Sequence, residues 1–287
     1  MVVNSSAPSG AVDHSGPAVS VITPCYNAER YLEQTIQSVM AQSFADWELL
    51  IVNAASTDDT LAIAERYAAQ EPRIRILSRT ERLGPGPARN LAIGEARGRY
   101  IAFLDADDLW MPEKLERQIG AMRAQGLVFT HTGYRLIDQH GLEFGNPITP
   151  PATVTHAELL YSCTISCLTT VYDSHVLGKQ YMPDILQSED YALWLNLLKR
   201  TPHAVGLPDA LARYRIHPGS LSRGKLRKSL YQWVVLRQEE KLGVPRAVFY
   251  FLSYAIRGLL KSKNYRAFVQ AKVKALYRKS SKPADAM

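Results

Sequence analysis

Three carboxylates fall within four positions at Asp105-Ala106-Asp107-Asp108, directly after the run Tyr100-Ile101-Ala102-Phe103-Leu104. A short apolar run of this length reads as a buried strand. Carboxylates at its end stand at the carboxyl edge of a sheet, where open α/β sheets bind ligands. Asp105 and Asp107, one residue apart, can share a hard divalent cation through oxygen ligands, and that cation can hold the phosphates of a nucleotide. An acidic helix cap would set the same residues there for a purely structural reason.

Other residues of suitable type stand at element boundaries. Arg89, in Pro87-Ala88-Arg89-Asn90, starts a helix, where a guanidinium meets phosphate or carboxylate or simply forms a surface ion pair. Glu189 and Asp190, in Gln187-Ser188-Glu189-Asp190-Tyr191, precede an amphipathic helix. They can cap it, or one of them can take a proton from a hydroxyl nucleophile as a general base. His217 follows a strand in Tyr214-Arg215-Ile216-His217-Pro218, and a neutral imidazole can join carboxylates on a metal such as Mn²⁺. Tyr26, past Pro24-Cys25, lines a base or ribose pocket or packs under a turn. Asn53 in Asn53-Ala54-Ala55-Ser56 reads a base or shapes a turn, and Ser56 or Thr57 caps a helix.

The elements that must position these groups alternate. Strands are predicted at 19–23, ending at Pro24, at 47–52, at 74–77 and at the Tyr100 run. Helices are predicted at 29–42, 58–71 and 88–96, with Gly84-Pro85-Gly86-Pro87 as a break. Four strand–helix alternations imply βαβ units and a mostly parallel sheet. Beyond Asp108, helices are predicted at 112–124, 156–161 and 190–200 (the last amphipathic), and strands at 128–136, 167–172 and 211–216. Residues 146–153 form a Pro-rich loop, and from Lys225 the pattern is helical and basic.

Composition bounds the class. The 287 residues are 46% hydrophobic and 21% charged, as in a globular protein of one large or two small domains. No apolar run approaches the roughly 18 residues of a transmembrane helix. Residues 1–17 are small and polar, without the basic start and apolar centre of a secretory signal, and read as a disordered tail. Three cysteines, Cys25, Cys163 and Cys167, suit buried thiols in a reducing compartment. The net charge of +7 is lopsided: residues 225–287 hold 15 Lys or Arg against 3 Asp or Glu, or +12, and the remainder carries −5. Such a basic end calls for an anionic partner.

Several of these segments, in order, resemble family 2 glycosyltransferases: Val19-Ser20-Val21-Ile22-Thr23-Pro24-Cys25-Tyr26-Asn27, the stretch from Gln42-Ser43-Phe44 to Val52, Ala88-Arg89-Asn90, Phe103-Leu104-Asp105-Ala106-Asp107-Asp108, Glu189-Asp190-Tyr191 and Tyr214-Arg215-Ile216-His217. The resemblance runs over about residues 19–222. It implies a GT-A fold, a Rossmann-like mixed and mostly parallel sheet flanked by helices. It also implies inverting transfer of a sugar from a nucleotide-diphosphate donor to a hydroxyl, with Mn²⁺ or Mg²⁺ as cofactor. Carried over, Asp190 is the catalytic base and Glu189 lies on the acceptor side. Asp105 holds the ribose or the metal shell, Asp107 ligates the metal, and His217 helps to hold it. Pro24, Tyr26 and Asn53 line the nucleotide pocket, with Arg89 nearby. The chain departs from the family where Asp-Asp-Gly-Ser is usual: Ala54 cannot accept a hydrogen bond from a base. Arg82 stands where many relatives have Asn, adding a cation near the diphosphate.

The expected organisation is a tail over 1–17, a catalytic domain over 18–224 (nucleotide half 18–110, acceptor half 111–224) and a basic amphipathic helical extension over 225–287. The expected setting is bacterial cell-surface polysaccharide or glycolipid synthesis, in the cytoplasm or peripherally on the inner face of the membrane. Partners are a nucleotide sugar, a glycan or lipid-linked acceptor, an anionic membrane surface for 225–287 and a second copy of the chain, with no nucleic acid. An apolar stripe over residues 248–260 suits a membrane surface, or packing on the catalytic domain or on a second subunit. Three rival classes are a sugar-nucleotide pyrophosphorylase, which would need a Gly-rich, Arg-containing loop where Pro24 to Arg30 stand, a glycosidase, whose two carboxylates around a cleft would leave the nucleotide-like strand ends unexplained, and a degenerate binding or scaffold protein.

Overall fold

The computed structural model describes residues 16–185, 187–219 and 225–256. Most of the expected 1–17 tail and residues 257–287 of the basic extension lie outside them.

The chain runs β1 (Val19–Cys25), α1 (Leu32–Met40), β2 (Trp47–Ala54), α2 (Thr60–Ala68), β3 (Ile74–Arg79), α3 (Pro85–Glu95) and β4 (Tyr100–Phe103). It continues through β5 (Leu109–Trp110), α4 (Lys114–Gln125), β6 (Phe129–Ile137), β7 (Glu143–Ile148), β8 (Thr153–Val154) and α5 (His156–Tyr161). Then come β9 (Val171–Asp173), α6 (Ser174–Leu177), α7 (Glu189–Leu198), β10 (Ala204–Arg215), α8 (Lys225–Val234) and α9 (244–256).

The strands form one sheet in the order β3-β2-β1-β4-β9-β6-β10-β5, with β7 on β6 and β8 on β10. The pairs β3–β2, β2–β1, β1–β4 and β6–β10 are parallel, whereas β9 runs antiparallel to both β4 and β6. The sheet is therefore mixed and mostly parallel in its first half, as expected. The chain winds outward from β1 through β2 and β3, then returns to place β4 on the other side of β1. That reversal opens a crevice at the carboxyl ends of β1 and β4, the position at which such sheets bind ligands.

Alternation along the strands sorts their side chains to two faces. Ile22, Leu50, Val52, Ile101 and Phe103 pack with α3 and α7, while Val21, Leu49, Ile51, Tyr100 and Ala102 pack with α1 and α4. Helix α1 buries Leu32, Thr35, Ile36 and Val39, one face at helical spacing. Helix α5 starts on a capping box in which Thr155 and Glu158 satisfy each other's backbone N–H groups.

Several boundaries differ from the sequence reading, each for a physical reason. β1 continues through Pro24 to Cys25. Its pairing with β4 ends at Ile22, so the strand has an open side where a missing N–H is tolerated. The Gly84–Pro87 break is the first turn of α3, because proline at the first helical positions lacks only a donor that would be unpaired anyway. The expected Pro-rich loop begins inside β7, an antiparallel hairpin partner of β6 that takes in residues 146–148. The strand expected at 167–172 begins as a 3₁₀ turn over Cys167–Thr169, and β10 is longer than expected, carrying Pro208 within register shifts. Helix α7 is not amphipathic: Tyr191 through Leu195, Leu197 and Leu198 are all buried.

The C-terminal helices complete the burial of α7, whose Trp194 also packs on Phe103 and Phe129 of the sheet. Val235, Leu236 and Ala247 join the core cluster that holds Tyr191, Leu193 and Trp194. Gln232 Nε2 donates to Tyr191 Oη at 2.8 Å, and the buried Glu240 carboxylate meets His156 at 3.0 Å and Lys199 at 2.8 Å. Residues 230–251 thus pack on the sheet-bearing part of the chain.

Candidate active site

A cavity of about 1080 Å³ opens at the switch between β1 and β4. The end of β1 contributes Pro24, Cys25 and Tyr26, the end of β2 contributes Ala54, and the turn after β4 contributes Asp105, Ala106 and Asp107. Helix α3 adds Ala88 and Arg89, the head of α7 adds Glu189, Asp190 and Tyr191, and the segment after β10 adds His217. Of the residues singled out from the sequence, Pro24, Tyr26, Arg89, Asp105, Asp107, Glu189, Asp190 and His217 therefore meet in one place.

Asn53 does not reach the cavity wall. It is buried, its amide donates to Ser78 Oγ at 3.2 Å, and its carbonyl oxygen accepts the Ser56 N–H at 3.3 Å. Adjacent strand residues face opposite ways, so Ala54 lines the cavity instead. Asn53 is the turn residue of the two readings its sequence allowed.

Arg89 is enclosed. Its Nη2 meets Asp105 Oδ1 at 2.5 Å and its Nη1 meets Glu189 Oε1 at 2.9 Å, with the guanidinium nearly excluded from solvent. Burial opposes the charge, but the carboxylates outweigh it and hold the Arg89 pKa well above its ordinary value. Burial raises the Glu189 pKa, and Arg89 opposes that rise. Gly86, one turn earlier on α3, leaves room for Glu189: a Cβ there would stand 3.1 Å from its Cγ. The neighbouring Asn90 makes two 2.7 Å hydrogen bonds to the Met182 backbone, fastening the segment that leads into α7. One turn of α3 therefore holds the acidic turn after β4 and the approach to α7 together.

Asp107 Oδ2 lies 2.9 Å from His217 Nε2. Burial and the Asp105 charge raise the Asp107 pKa, and His217 opposes them. Asp108 turns away from the main cavity and is buried, its Oδ1 accepting the Arg215 N–H at 2.8 Å. Burial pushes its pKa well above the usual carboxylate range. Arg215 braces the same turn: its Nε donates to Asp107 O at 2.7 Å and its Nη2 to Gln34 Oε1 at 2.8 Å.

The donor set fits a hard divalent cation that takes its remaining ligands elsewhere. Among the described residues no three His, Cys, Asp or Glu side chains form a closed metal site. Asp107 and His217 offer one carboxylate and one imidazole, and Mg²⁺ in nucleotide sites is commonly held by one or two carboxylates plus substrate phosphates.

Sequence reasoning did not single out Arg215, nor the Gln232 and Tyr254 side chains that line the cavity from α8 and α9. The register of β10 could have pointed to Arg215 as the last strand residue before His217. Nothing local marks Gln232 or Tyr254, which arrive through tertiary packing. Arg82 lies over the Tyr26 ring, with Cζ 4.3 Å from its centroid, at the same mouth as Arg30.

Comparison with known proteins agrees with this geometry. Residues 20–168 match the family described as "Glycosyl transferase family 2". The chain is 40% identical to the putative teichuronic acid biosynthesis glycosyltransferase TuaG of Bacillus subtilis, over 85% of this chain and 97% of that one. It is 35% identical to WfgD of Escherichia coli, a UDP-Glc:alpha-D-GlcNAc-diphosphoundecaprenol beta-1,3-glucosyltransferase, over 85% of this chain and 94% of that one. Among solved structures, residues 1–349 of Staphylococcus aureus TarS in complex with UDP-GlcNAc superpose with a TM-score of 0.64 at 22% identity, covering 81% of this chain and 70% of that one. The Pyrobaculum calidifontis mannosyltransferase PcManGT, in complex with GDP-Man and Mn²⁺, gives 0.62 at 17% identity, covering 92% and 81%. These two share the fold. With strand-end acids, a guanidinium-braced α7 and a matching profile over more than half its length, the chain belongs to glycosyl transferase family 2.

Proposed function

We propose that the chain transfers a sugar from a nucleotide-diphosphate donor to a hydroxyl acceptor with inversion at the anomeric carbon. The observation that carries this reading is the meeting, in one cavity, of the strand-end carboxylates Asp105 and Asp107 with Asp190 at the head of α7. The nucleoside lies toward Pro24, Tyr26 and Ala54, and the diphosphate toward Arg30, Arg82 and His217. Asp190 removes the proton of the acceptor hydroxyl as its oxygen bonds to the anomeric carbon. The bond from that carbon to the diphosphate oxygen breaks on the opposite face, and the nucleoside diphosphate leaves with the electron pair. Asp107 and His217 would hold a Mn²⁺ or Mg²⁺ ion, which when bound would offset that charge as a Lewis acid. Arg89 acts through Glu189 and Asp105 rather than on phosphate, since both of its terminal nitrogens are engaged by carboxylates.

The acceptor in this reading is a lipid-linked glycan of bacterial cell-surface polysaccharide synthesis, supported by the names of TuaG and WfgD. It reaches the enzyme peripherally at the inner face of the membrane. Among the described residues no helix is long and apolar enough to span a bilayer. Helix α9 instead carries Val248, Leu252 and Ile256 exposed at i, i+4 and i+8, with Phe249 beside them, while Ala247 on the other side is buried. An apolar face next to a basic sequence suits an anionic lipid surface.

A thermal-shift screen of UDP, GDP, dTDP, CDP and ADP, each with Mn²⁺ or Mg²⁺, tests the core of the reading. A bound ligand at 100 times its Kd stabilises the native state by about 2.7 kcal/mol. One base should stand out, and hydrolysis of the matching nucleotide sugars should follow. No shift with any of the five would sink the assignment.

A further inference from the structure

A second cavity of about 380 Å³ adjoins the first and shares Asp105, Cys163, Asp190 and Tyr214 with it. Its remaining walls are Tyr134 of β6, Ile148 of β7, Asp108 and the segment 164–168. The two spaces differ in charge. Arg30, Arg82, Arg89 and His217 line the first, whereas among the described residues no Lys, Arg or His lines the second, which holds the three acidic side chains Asp105, Asp108 and Asp190. Arg89 pairs with Asp105 and burial favours the protonated form of Asp108, so this space offers a phosphate the negative side of Asp190 and no cation to offset its own charge, and nucleotide and lipid diphosphate belong elsewhere. What remains compatible is a neutral ligand that donates hydrogen bonds.

The walls supply the rest of that description. The Tyr134 and Tyr214 rings stand 6.1 Å apart at 64°, forming an aromatic corner. Thr164 and Ser166 add hydroxyls that can donate or accept. Apolar ring faces beside a few polar groups are the usual lining of small-molecule sites. They match a pyranose, with C–H groups on its faces and hydroxyls at its rim. Asp190 lies on the wall common to both cavities, within reach of a ligand in each.

We propose that this second cavity binds the terminal neutral sugar of the acceptor, with Tyr134 and Tyr214 as its aromatic wall, so that the sugar's hydroxyl meets Asp190 where the two cavities join. This rests on the transferase reading above and adds the subsite, its ligand class and the residues that select it. Tyr134 is the discriminating residue, because it lines the second cavity and not the first.

The test is saturation-transfer NMR on the full chain with octyl glycosides of glucose, galactose and N-acetylglucosamine, in the presence of UDP or GDP. At least one glycoside should bind the wild type and Tyr134→Phe, which keeps the ring. Tyr134→Ala should weaken it about tenfold, the scale of one lost aromatic contact, with nucleotide affinity unchanged. Ile148→Trp, at the position paired with Tyr134 across β6 and β7, fills the cavity from the same wall and should give the same loss, which keeps the test decisive if Tyr134→Ala unfolds. Binding of none of the three by the wild type overturns the proposal, as does glycoside binding unaltered in both Tyr134→Ala and Ile148→Trp. Failure to bind any nucleotide would instead strike the transferase reading itself.

Discussion

Arg89 Nη1 and Glu189 Oε1 meet at 2.9 Å across one hundred positions of sequence, and the same guanidinium holds Asp105. Removing one partner of a buried ion pair leaves an uncompensated charge and costs roughly 3–5 kcal/mol. Arg89→Met should therefore lower the urea midpoint strongly. The double variant Arg89→Met, Glu189→Leu should recover part of the loss, because it leaves no buried charge at position 189. Equal stability of the single and double variants would show that the pair is not coupled.

Asp190→Asn keeps the shape of the side chain and removes the base. General-base assistance is typically worth ~10²–10⁴ in rate, so turnover should fall by that order while donor affinity by calorimetry stays near wild type. Asp107→Ala should do the reverse, removing the metal-dependent part of donor binding. Comparable loss of donor binding in Asp190→Asn would reassign Asp190 to a structural role at the head of α7.

Ala55 adopts φ +56°, the left-handed region, directly after β2. An L-residue pays roughly 1–2 kcal/mol there, and glycine pays nothing in the fold but more on ordering. Ala55→Gly should stabilise the chain by about 0.5–1 kcal/mol in urea denaturation. A midpoint that falls would mean that the Ala55 methyl packs more than the backbone strains.

Lys114 is fully buried on α4, with Nζ 2.7 Å from Gln118 Oε1 and over the Trp110 ring, and burial lowers its pKa from 10.5 to about 7. Between those values the unfolded chain holds a proton that the folded chain has released, so stability rises with pH. The penalty is greatest below about pH 7. The melting temperature of the wild type should climb from pH 7 to 8.5 relative to Lys114→Met, which lacks the titrating group. Parallel profiles would contradict a lowered Lys114 pKa.

Flotation of the full chain with vesicles rich in phosphatidylglycerol tests the outer face of α9. Wild type should float with them and not with neutral phosphatidylcholine. Leu252→Glu together with Ile256→Glu should abolish flotation while leaving nucleotide binding intact, since neither residue lines the cavity. A wild type that never floats, and a variant that turns a dimer into a monomer, would assign the face to a second copy of the chain.

The sequence by itself determined the framework and much of the site. Apolar runs marked β1, β2 and β4, helical spacing marked α1, and the acids after Phe103 stood at a strand end because the apolar run stops there. Pro24, Tyr26 and Asp107 reach the cavity for that reason, and Asp190 reaches it from the head of α7. Tertiary structure alone decided the rest. Arg89 could equally have met phosphate, and only the packing of α3 against α7 engages it with Glu189. Asn53 was an open choice until the β2–β3 register placed Ser78 beside it. α9 is apolar on several sides, and only its seat on the core separates buried Ala247 from exposed Leu252 and Ile256. The second cavity behind Asp190 is assembled from β6, β7, β10 and the 163–168 segment. Contacts at that separation leave no local period, so no window of sequence could display them.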